Sequence, residues 1–466
     1  HEGNHWLTSL GEGVFFFSSI HAITYLPYPE AGNAFANKVF VDSRGTAWVG
    51  FDKNVYAKLA SGILEVHQLP RGANGRGRMN DIFEDADGNL FLATDESVVT
   101  IDPEGNTFYH HPYVKAFAQV PNGDFYVSHG WQVNRVKKSP PAQFEKAYAL
   151  ARSTHDHHMM TRATALATSS DGKLLLGTLH GLFEANDGVL RQIAEVPSVS
   201  ISHIKVLPNG RVWLSTLNSG IGYLEDGKFH SVAENLLHSD ICHDITIDSG
   251  GTVYIATNRG ITRLEPLNAA ATEFRSRNFG KSYGLASDEV RSVATNNGKI
   301  YVATAKGLTV MEESFLTGNQ PPVRLHAKAF TGSGKELPLN GEPIGLSAED
   351  NQLSITFTGI SYRNAKNVQY RYMLRKNNAP GEWNATSSRR LDFPYLSPGT
   401  YELRLEATIE GLPTTTAKIE LKFEVLPTFW ETNLARAVIF FLLLGIVLFV
   451  FWLVLNRRKS QEMKRA

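Results

Sequence analysis

The 466-residue sequence has little cysteine and no net charge. Its single cysteine, Cys242, excludes a disulfide framework and any metal site built only from thiolates. Its 46 lysines and arginines balance 46 aspartates and glutamates, so it lacks the basic excess that binding to nucleic acid requires. Apolar residues nevertheless make up 42% of the chain, which indicates a packed globular protein rather than a disordered one.

One long apolar run lies near the C-terminal end. Residues Ala437 to Leu455 carry no charge and would reach about 28 Å as a helix, close to the roughly 30 Å hydrocarbon core of a bilayer. Only Arg436 precedes the run closely, whereas five basic residues follow it: Arg457, Arg458, Lys459, Lys464 and Arg465. The positive-inside rule therefore predicts a transmembrane helix over 434–456, with residues 1–430 outside and 457–466 as the start of a cytoplasmic helix. A buried core helix is the alternative.

The region before this run repeats a short pattern. A turn glycine is followed, three residues later, by a large apolar residue that opens an apolar segment. The pairs are Gly3/Trp6, Gly45/Trp48, Gly88/Phe91, Gly123/Tyr126, Gly172/Leu175, Gly210/Trp213, Gly251/Tyr254 and Gly298/Tyr301. Asp-Gly and Asn-Gly favour tight hairpin turns, and the apolar segments favour strands. A period of about 42 residues with about four strands is typical of β-propeller blades. Tandem β-sandwiches are the alternative.

The number of blades follows from how the ring closes. Seven blades between about Ala36 and Met311 give the simplest closure, and eight blades are the alternative. The last copy lacks an outermost strand, which the segment His21–Leu26 is predicted to supply. Residues 1–17 are then interpreted as the remnant of a truncated blade, and the propeller domain is placed at residues 1–320.

In the region between the propeller and the apolar run, the apolar residues recur at every second position. Apolar residues alternate with polar ones in three segments: Leu353, Ile355 and Phe357; Val368, Tyr370, Tyr372 and Leu374 opposite Gln369, Arg371 and Met373; and Tyr401, Leu403, Leu405 and Ala407 opposite Glu402, Arg404 and Glu406. Such alternation is typical of half-buried antiparallel strands. Six or seven strands of this kind predict an immunoglobulin-like sandwich at residues 321–428.

These features together resemble a known family of sensors. The repeats resemble the two-component regulator propeller, and the sandwich resembles the tyrosine-rich domain that follows it, with the pattern Y-x-Y…W…L-x-P-G-x-Y. That pattern falls on Tyr370, Tyr372, Trp383, Leu396, Pro398, Gly399 and Tyr401, and the sequence PTFWETN before the apolar run also matches. The resemblance implies the outer sensor region of a membrane histidine kinase or hybrid two-component regulator, in the cell inner membrane. It also implies a homodimer, a small-molecule or oligosaccharide ligand, and a response regulator reached through a cytoplasmic output domain.

A ring of loops at the propeller mouth offers the candidate ligand site. Alternate loops of a four-stranded meander emerge on the same face, so the loops between second and third strands should form one ring. The candidate ligand-binding residues there are Asp95, Glu96, His129, Trp131, His180, Asn218, Asn258, Arg259 and Lys306, and the same loops also present Glu12, Asp52 and Lys53. Such a mouth could hydrogen-bond a polar ligand and stack it on Trp131. Each residue could equally be an ordinary solvated turn residue.

Catalytic and metal chemistry have weaker support. A glycosidase needs two facing carboxylates, but Asp95 and Glu96 are adjacent in one loop, so their side chains are expected to diverge. The segment Thr154–His158 carries a His-x-His pattern that could bind a transition metal, and an exposed polar loop explains it equally well. Cys242 is expected in the core beside Ile241. No catalytic residue, metal ligand or cofactor is predicted.

The sequence therefore predicts an all-β chain in which a β-propeller precedes an immunoglobulin-like sandwich and one transmembrane α-helix. Its predicted role is the ligand-sensing outer region of a two-component signalling receptor, which passes a change through the span to an output domain, most simply a histidine kinase. The alternatives are a membrane-anchored carbohydrate-binding protein without an output domain and a propeller hydrolase or lyase.

Overall fold

The computed structural model contains two compact units, which divide between Gly318 and Asn319. The described residues are 5–9, 13–17, 22–28, 35–69, 77–110, 113–137, 143–154, 157–160, 162–186, 189–317, 322–339, 343–361, 368–409 and 412–463.

The first unit is built almost entirely from short strands. Strands β1 (His5–Ser9) and β2 (Gly13–Phe17) form an antiparallel hairpin, and β3 (Ala22–Tyr25) follows. The remaining strands are β4 (Ala36–Val41), β5 (Ala47–Phe51), β6 (Val55–Ala60), β7 (Ile63–Gln68), β8 (Met79–Glu84), β9 (Leu90–Thr94), β10 (Val98–Ile101), β11 (Thr107–His110), β12 (Phe117–Gln119), β13 (Phe125–His129), β14 (Gln132–Lys137), β15 (Gln143–Ala149), β16 (Ala151–Thr154), β17 (His157–Met160), β18 (Ala163–Thr168), β19 (Leu174–Thr178), β20 (Gly181–Asn186), β21 (Val189–Gln192), β22 (Ile201–Val206), β23 (Val212–Thr216), β24 (Ile221–Glu225), β25 (Lys228–Ser231), β26 (Cys242–Ile247), β27 (Val253–Thr257), β28 (Gly260–Pro266), β29 (Phe274–Phe279), β30 (Val290–Asn296), β31 (Lys299–Thr304) and β32 (Gly307–Glu312). Helix α1 (Glu313–Thr317) ends the described part of this unit.

These strands form seven four-stranded antiparallel blades. Six blades use consecutive strands: β4–β7, β8–β11, β12–β15, β18–β21, β22–β25 and β26–β29. The seventh has the order β30-β31-β32-β3, so the early strand Ala22–Tyr25 supplies its outermost strand, as predicted. The first strands of successive blades contact one another in a closed ring. The described part of the chain thus forms a seven-bladed propeller, and the hairpins β1–β2 and β16–β17 belong to none of its seven sheets.

The repeated glycine and the large apolar residue explain why each blade forms. Gly45 has a φ of +84°, and Asp42 Oδ1 accepts hydrogen bonds from the backbone N–H groups of Arg44 and Thr46 in the same turn. Trp48 and Leu175, three residues after their glycines, are 7% and 3% exposed. Leucine replaces the aromatic ring without loss of burial, so the position requires a large apolar side chain rather than an aromatic one.

The closing strand depends on a glycine that leaves no space for a side chain. Gly307 has a φ of +108°, and a Cβ there would lie 2.6 Å from the Tyr25 carbonyl oxygen and 2.8 Å from Leu26 Cδ2. We expect Gly307→Ala to cost about 1–3 kcal/mol of backbone strain and also to displace β3 from β32. Hydrogen exchange of the Ala22–Tyr25 amides in the full chain measures this displacement.

Gly298→Ala is the matched control for Gly307→Ala. Gly298 also has a positive φ, +72°, but a Cβ at this position would have no neighbouring atom within 4 Å among the described residues. This variant should therefore show backbone strain without faster exchange in β3. Equal exchange of β3 in both variants would contradict the proposed close approach.

The second unit begins with a two-sheet sandwich. Its strands are β33 (Arg324–Thr331), β34 (Glu336–Leu337), β35 (Ile344–Leu346), β36 (Leu353–Ile360), β37 (Val368–Lys376), β38 (Asn384–Thr386), β39 (Arg390–Phe393), β40 (Gly399–Ile409) and β41 (Leu412–Val425). One sheet has the order β34-β33-β36-β39 and the other β35-β41-β40-β37-β38, with β35 and β41 parallel. Both sheets contribute to one core, which contains the predicted inward residues Leu353, Ile355, Leu403 and Leu405. The all-β fold class of the two units is therefore confirmed.

Two residues that the alternation placed on the polar face are buried. Met373 is 7% exposed because the loop around Gly381 covers it, and a Cβ on Gly381 would lie 2.8 Å from Met373 Cγ. Glu406 is 4% exposed and forms ion pairs with Arg371 and Lys418, at 2.6 and 3.0 Å. At these two positions, contacts with a loop and with neighbouring strands bury side chains that the alternation predicts to be exposed.

A single long helix follows the sandwich. Helix α2 spans Asn433–Met463, and its segment Asn433–Arg457 is long and apolar enough to cross a membrane. None of its most apolar window is buried within the protein. A buried core helix is therefore wrong for this segment, and a membrane span accounts for its exposed apolar surface.

Candidate functional site

The loops predicted to ring the propeller mouth share one hairpin geometry. The second strands of five blades end in a buried threonine: Thr94, Thr178, Thr216, Thr257 and Thr304. In β27, for example, Thr257 Oγ1 donates to the Gly260 carbonyl at 2.8 Å and accepts from the Arg259 N–H at 3.0 Å. These hydroxyls fix the loop backbone. Sequence reasoning missed them, although a threonine closes most of the repeated segments.

The two acidic candidates of blade 2 face different partners. Asp95 forms an ion pair with Lys115 and accepts a 3.1 Å hydrogen bond from Asn80 Nδ2. Glu96 Oε2 instead accepts a 2.8 Å hydrogen bond from Asn54 of blade 1. Burial alone would raise the pKa of Asp95, but Lys115 and Asn80 outweigh it and hold the pKa below its usual value. The two carboxylates therefore diverge, which does not favour a glycosidase pair.

The two ring-bearing candidates of blade 3 lie in separate contacts. The His129 imidazole packs edge-on against Tyr113, with ring centroids 4.9 Å apart, and burial lowers its pKa. Trp131 is 38% exposed and lies under the Arg162 guanidinium, 4.4 Å from the ring centroid. Arg162 was not singled out from the sequence, because nothing in the repeat places it beside the mouth. A partly exposed indole is suited to stacking on a ligand, and Arg162 already occupies one face of this one.

The remaining predicted ring residues are held mainly through their backbones. His180, Arg259 and Lys306 each donate a backbone N–H to the threonine of their hairpin, at 3.0, 3.0 and 3.1 Å. The side chain of Asn258 accepts from Ser239 Oγ, and that of Asn218 is 3.5 Å from Ser219 Oγ. Within the described residues, no contact joins these five side chains to one another. The loops thus share a position in the fold without forming a connected cluster.

Three further residues were predicted in the same loops, and the structure describes two of them. Asp52 Oδ1 accepts a 2.7 Å hydrogen bond from Asn37, and the Lys53 carbonyl accepts from Gln68 at 2.9 Å. Glu12 lies outside the described residues.

The histidine-rich segment gives no metal site that the structure can describe. His155 and Asp156 lie outside the described residues, and His157 and His158 belong to β17. Over the part of the chain that is described, no group of three or more His, Cys, Asp or Glu side chains could hold a metal ion.

Two short catalytic motifs occur without the structural setting that they need. The zinc motif HExxH matches residues 1–5, but His5 begins a strand, whereas the motif works on a helix. The nucleophile motif GxSxG matches residues 280–284, where Lys281–Tyr283 forms only a 3-10 turn after β29. Because a nucleophile elbow joins a strand to an α-helix, this match does not predict a hydrolase.

The first strands of the blades enclose a cavity of about 460 Å³ in the middle of the propeller. Every blade contributes to its lining, and five of the lining residues are titratable: Lys38, Asp81, His203, Lys205 and Asp244. Sequence reasoning missed this cluster, because these residues lie up to 206 positions apart in the chain.

A repeated irregularity of the first strands brings these side chains together. Six first strands carry a register shift of the β-bulge type near their start, directly before Lys38, Asp81, Ala165, His203, Asp244 and Ser292. A bulge re-aims the side chains next to it. Because the bulge recurs at the same place in neighbouring blades, the residues after it face one another inside the ring.

The cluster is organised around Asp244. Lys38 Nζ lies 3.4 Å from Asp244 Oδ2 and 3.6 Å from Asp81 Oδ1. His203 Nδ1 lies 3.1 Å from Asp244 Oδ1, and Ser292 Oγ donates to Asp244 Oδ2. Burial alone would raise the pKa of Asp244, but His203 and Lys38 outweigh it and hold the pKa below its usual value. Burial does raise the pKa of Asp81.

Stability should fall as the pH decreases from about 6.5 towards 4. Burial lowers the pKa of both His203 and His243 from 6.5 to about 4. The unfolded chain therefore binds protons in this range that the folded chain does not, and each histidine contributes a slope of up to about 1.4 kcal/mol per pH unit. Denaturant unfolding of the full chain at pH 7.5, 6 and 5 measures the slope. His203→Gln should reduce it, and stability that is constant or rises across this range would contradict the expectation.

The sequence of the sandwich matches a known domain family. Residues 361–426 match the family model of the Y_Y_Y domain. The chain contains a Y_Y_Y domain.

The tyrosines of the Y_Y_Y domain have distinct structural roles. Tyr401 Oη donates to the Ser397 carbonyl at 2.8 Å, which is the tyrosine corner of immunoglobulin-like sandwiches. Tyr370 Oη accepts the Gly359 N–H at 2.9 Å, across from β37 to β36. Tyr372 packs edge-on against Phe393, with ring centroids 6.3 Å apart. The pattern of the Y_Y_Y domain thus joins its two sheets.

Solved structures share the fold over nearly the whole chain. The extracellular domain of BT3049 from B. thetaiotaomicron, described as a hybrid two-component system, matches with a TM-score of 0.72 and 20% identity over 91% of this chain and 60% of that one. The extracellular domain of BT4673 from the same organism, also described as a hybrid two-component system, matches with a TM-score of 0.50 and 15% identity over 90% and 60% of the two chains. The chain therefore spans about three fifths of the length of these domains.

Part of the chain also resembles an enzyme. Virginiamycin B lyase from Staphylococcus aureus matches with a TM-score of 0.51 and 14% identity over 62% of this chain and 98% of the lyase. At this identity the likeness shows the fold and carries no chemistry. None of the curated protein sequences matches the chain.

Proposed function

We propose that this chain is the ligand-sensing outer region of a membrane-bound two-component signalling receptor. The observation that carries the proposal is the direct succession of the Y_Y_Y domain and the candidate span, since β41 ends at Val425 and α2 begins at Asn433. The shared fold with the extracellular domains of two-component systems supports it. An anchored binding protein without an output domain would need only the membrane span, and not a Y_Y_Y domain directly before it.

The junction between the sandwich and the helix is ordered. Glu431 Oε2 accepts hydrogen bonds from the backbone N–H and the hydroxyl of Thr428, at 3.1 and 2.9 Å. The first of these, together with the approach of the Glu431 N–H to the Thr428 side chain, forms a capping box. Thr432 Oγ1 then accepts the Ala435 N–H at 3.2 Å at the start of α2. A short, hydrogen-bonded junction would pass a displacement of β41 to the helix instead of absorbing it.

The orientation in the membrane follows from charge and from aromatic residues. Basic residues cluster after the apolar segment, which supports a cytoplasmic C-terminal end and an outer location for the propeller and the Y_Y_Y domain, in the cell inner membrane. Phe429 and Trp430, which are 64% and 69% exposed, lie just before α2 and suit the outer interfacial belt.

The output and the partners are part of the same proposal. A ligand at the propeller mouth, a small molecule or an oligosaccharide, biases the packing of two receptor chains, and the sandwich supplies the contact between them. A histidine kinase after the span then phosphorylates a response regulator. For this to work, the ligand must bind the two packing states with different affinity. The partly exposed indole of Trp131 favours a ligand that stacks.

The orientation can be tested with introduced cysteines. The native Cys242 is fully buried, and burial raises the pKa of its thiol to about 12, so it should not react with a maleimide. We expect an impermeant maleimide to label Asn384→Cys in intact spheroplasts and to label Ser460→Cys only after permeabilisation. Labelling of Ser460→Cys in intact spheroplasts would overturn the orientation, and the unaltered chain is the control for Cys242.

The signalling role needs a test of phosphorylation. Membranes that contain the complete gene product should incorporate phosphate from ATP into an acid-labile, base-stable phosphohistidine, and removal of the propeller and the Y_Y_Y domain should change the rate. Absence of phosphohistidine from the complete protein would overturn the kinase output and favour the anchored binding protein. Turnover of a glycan or a lactone by the full chain would favour the enzyme alternative.

A further inference from the structure

We propose that the central cavity of the propeller binds a small organic monocarboxylate, with the Lys205 ammonium as its counter-ion. This site is distinct from the ring of mouth loops and does not depend on the membrane orientation or on any output domain. It rests on the size of the cavity, the arrangement of its charges and the position of one lysine.

The size of the cavity fits a small molecule. Its volume of about 460 Å³ lies within the range of roughly 300–1,000 Å³ that is usual for ligand pockets. Both apolar and polar side chains line it, including Phe83, Val206, Thr246 and Thr295. An organic body and a polar head group could therefore both be accommodated.

Lys205 is the one lysine or carboxylate of the cavity lining whose charged group forms neither an ion pair nor a hydrogen bond among the described residues. Lys38 lies between Asp81 and Asp244, and His203 contacts Asp244. For Lys205, by contrast, neither an ion pair nor a hydrogen bond of the ammonium occurs in the described part of the chain. Burial lowers the pKa of Lys205, and the negative charge of Asp244 offsets this only in part. Lys205 is half-buried, and a half-buried cation without an ion pair or a hydrogen bond is typical of a functional position.

The charges of the neighbours define the chemistry of the ligand. An anion is needed to pair with Lys205, but Asp81 and Asp244 line the same cavity and repel a second negative charge. Lys38 already lies between these two carboxylates, where a metal ion would otherwise bind. A single carboxylate is therefore favoured over a dianion such as a phosphate ester and over a metal ion.

The proposal is tested with the full chain in nanodiscs. Sodium acetate, propionate and benzoate are titrated against sodium chloride at equal ionic strength, and binding is followed by calorimetry and by the melting temperature of the propeller. The variant is Lys205→Met, which keeps most of the side-chain length and removes the charge. Lys228→Met is the matched control, since Lys228 is an exposed lysine of the same blade.

We expect at least one of the three carboxylates to bind and raise the melting temperature, and Lys205→Met to weaken that binding at least tenfold. Lys205→Met should also leave the melting temperature of the ligand-free protein unchanged or higher, because it removes a half-buried cation that has no ion pair among the described residues. If Lys205 had a structural role, Lys205→Met would instead lower the melting temperature of the ligand-free protein. The proposal is overturned if none of the three carboxylates binds more strongly than chloride, or if Lys205→Met binds them like the unaltered chain. Lys228→Met should bind like the unaltered chain.

Discussion

Replacing Asp244 with alanine should lower the free energy of unfolding of the propeller by about 3–5 kcal/mol. Asp244 is 3% exposed and is the common partner of Lys38, His203 and Ser292. Its removal leaves the Lys38 ammonium buried with Asp81 alone and leaves the Ser292 hydroxyl without its acceptor. Circular-dichroism melts should show a decrease on the order of 5–15 °C, and hydrogen exchange should assign it to the first strands.

A matched control separates burial from charge. Glu65 is also paired with a lysine, Lys58 at 2.7 Å, but its side chain is 53% exposed, so Glu65→Ala should have little effect. If Asp244→Ala and Glu65→Ala melt at the same temperature, the cluster does not stabilise the propeller.

Replacing Tyr401 with alanine should lower the free energy of unfolding of the Y_Y_Y domain by about 3–5 kcal/mol. Tyr401 is 7% exposed, stacks on Phe423 with ring centroids 5.2 Å apart, and donates the corner hydrogen bond to Ser397. The substitution removes a large ring from the core and a hydrogen bond that fixes the turn. Denaturant unfolding, with hydrogen exchange of β40 and β41, measures the loss.

Two further variants divide the effect of Tyr401 into its parts. Tyr401→Phe keeps the ring and loses only the hydroxyl, so about 0.5–1.5 kcal/mol is expected. Tyr395→Ala lies six residues away in the sequence and removes a ring that is 67% exposed, so little change is expected. A loss for Tyr401→Phe as large as that for Tyr401→Ala would mean that the hydrogen bond, and not packing, stabilises the corner.

Local patterns in the sequence determined the architecture. The glycine turns, such as Gly45 with its positive φ, and the large residues three positions later mark each blade independently of the others. Period-two alternation marks the sandwich strands, and an uncharged run marks the helix. Even the closing strand near His21–Leu26 could be predicted, since a propeller with one strand missing from its last blade must take it from elsewhere. Residues close in sequence carry the signals of the turns, the strands and the helix, whereas the closing strand follows only from the number of strands that the ring needs.

The mouth loops were predictable in position but not in contacts. The second-to-third-strand loops are hairpins, so their place in the repeat follows from the sequence. What each side chain touches does not, because its partners come from other blades: Lys115 for Asp95, Asn54 for Glu96 and Arg162 for Trp131. In the sandwich, Met373 is buried by the loop around Gly381, and Glu406 pairs with Arg371 and Lys418 of neighbouring strands, so alternation alone could not predict their burial either.

The charged cluster of the central cavity was decided only by the tertiary structure. Lys38, Asp81, His203 and Asp244 lie in short strands in which a charged residue gives no local signal. Closure of the ring and the repeated bulges bring each of them within about 4 Å of at least one other. The sequence by itself determined the strands, the turns and the span, because local sterics and burial encode them. The neighbours of each charge were set when the seven blades closed into a ring.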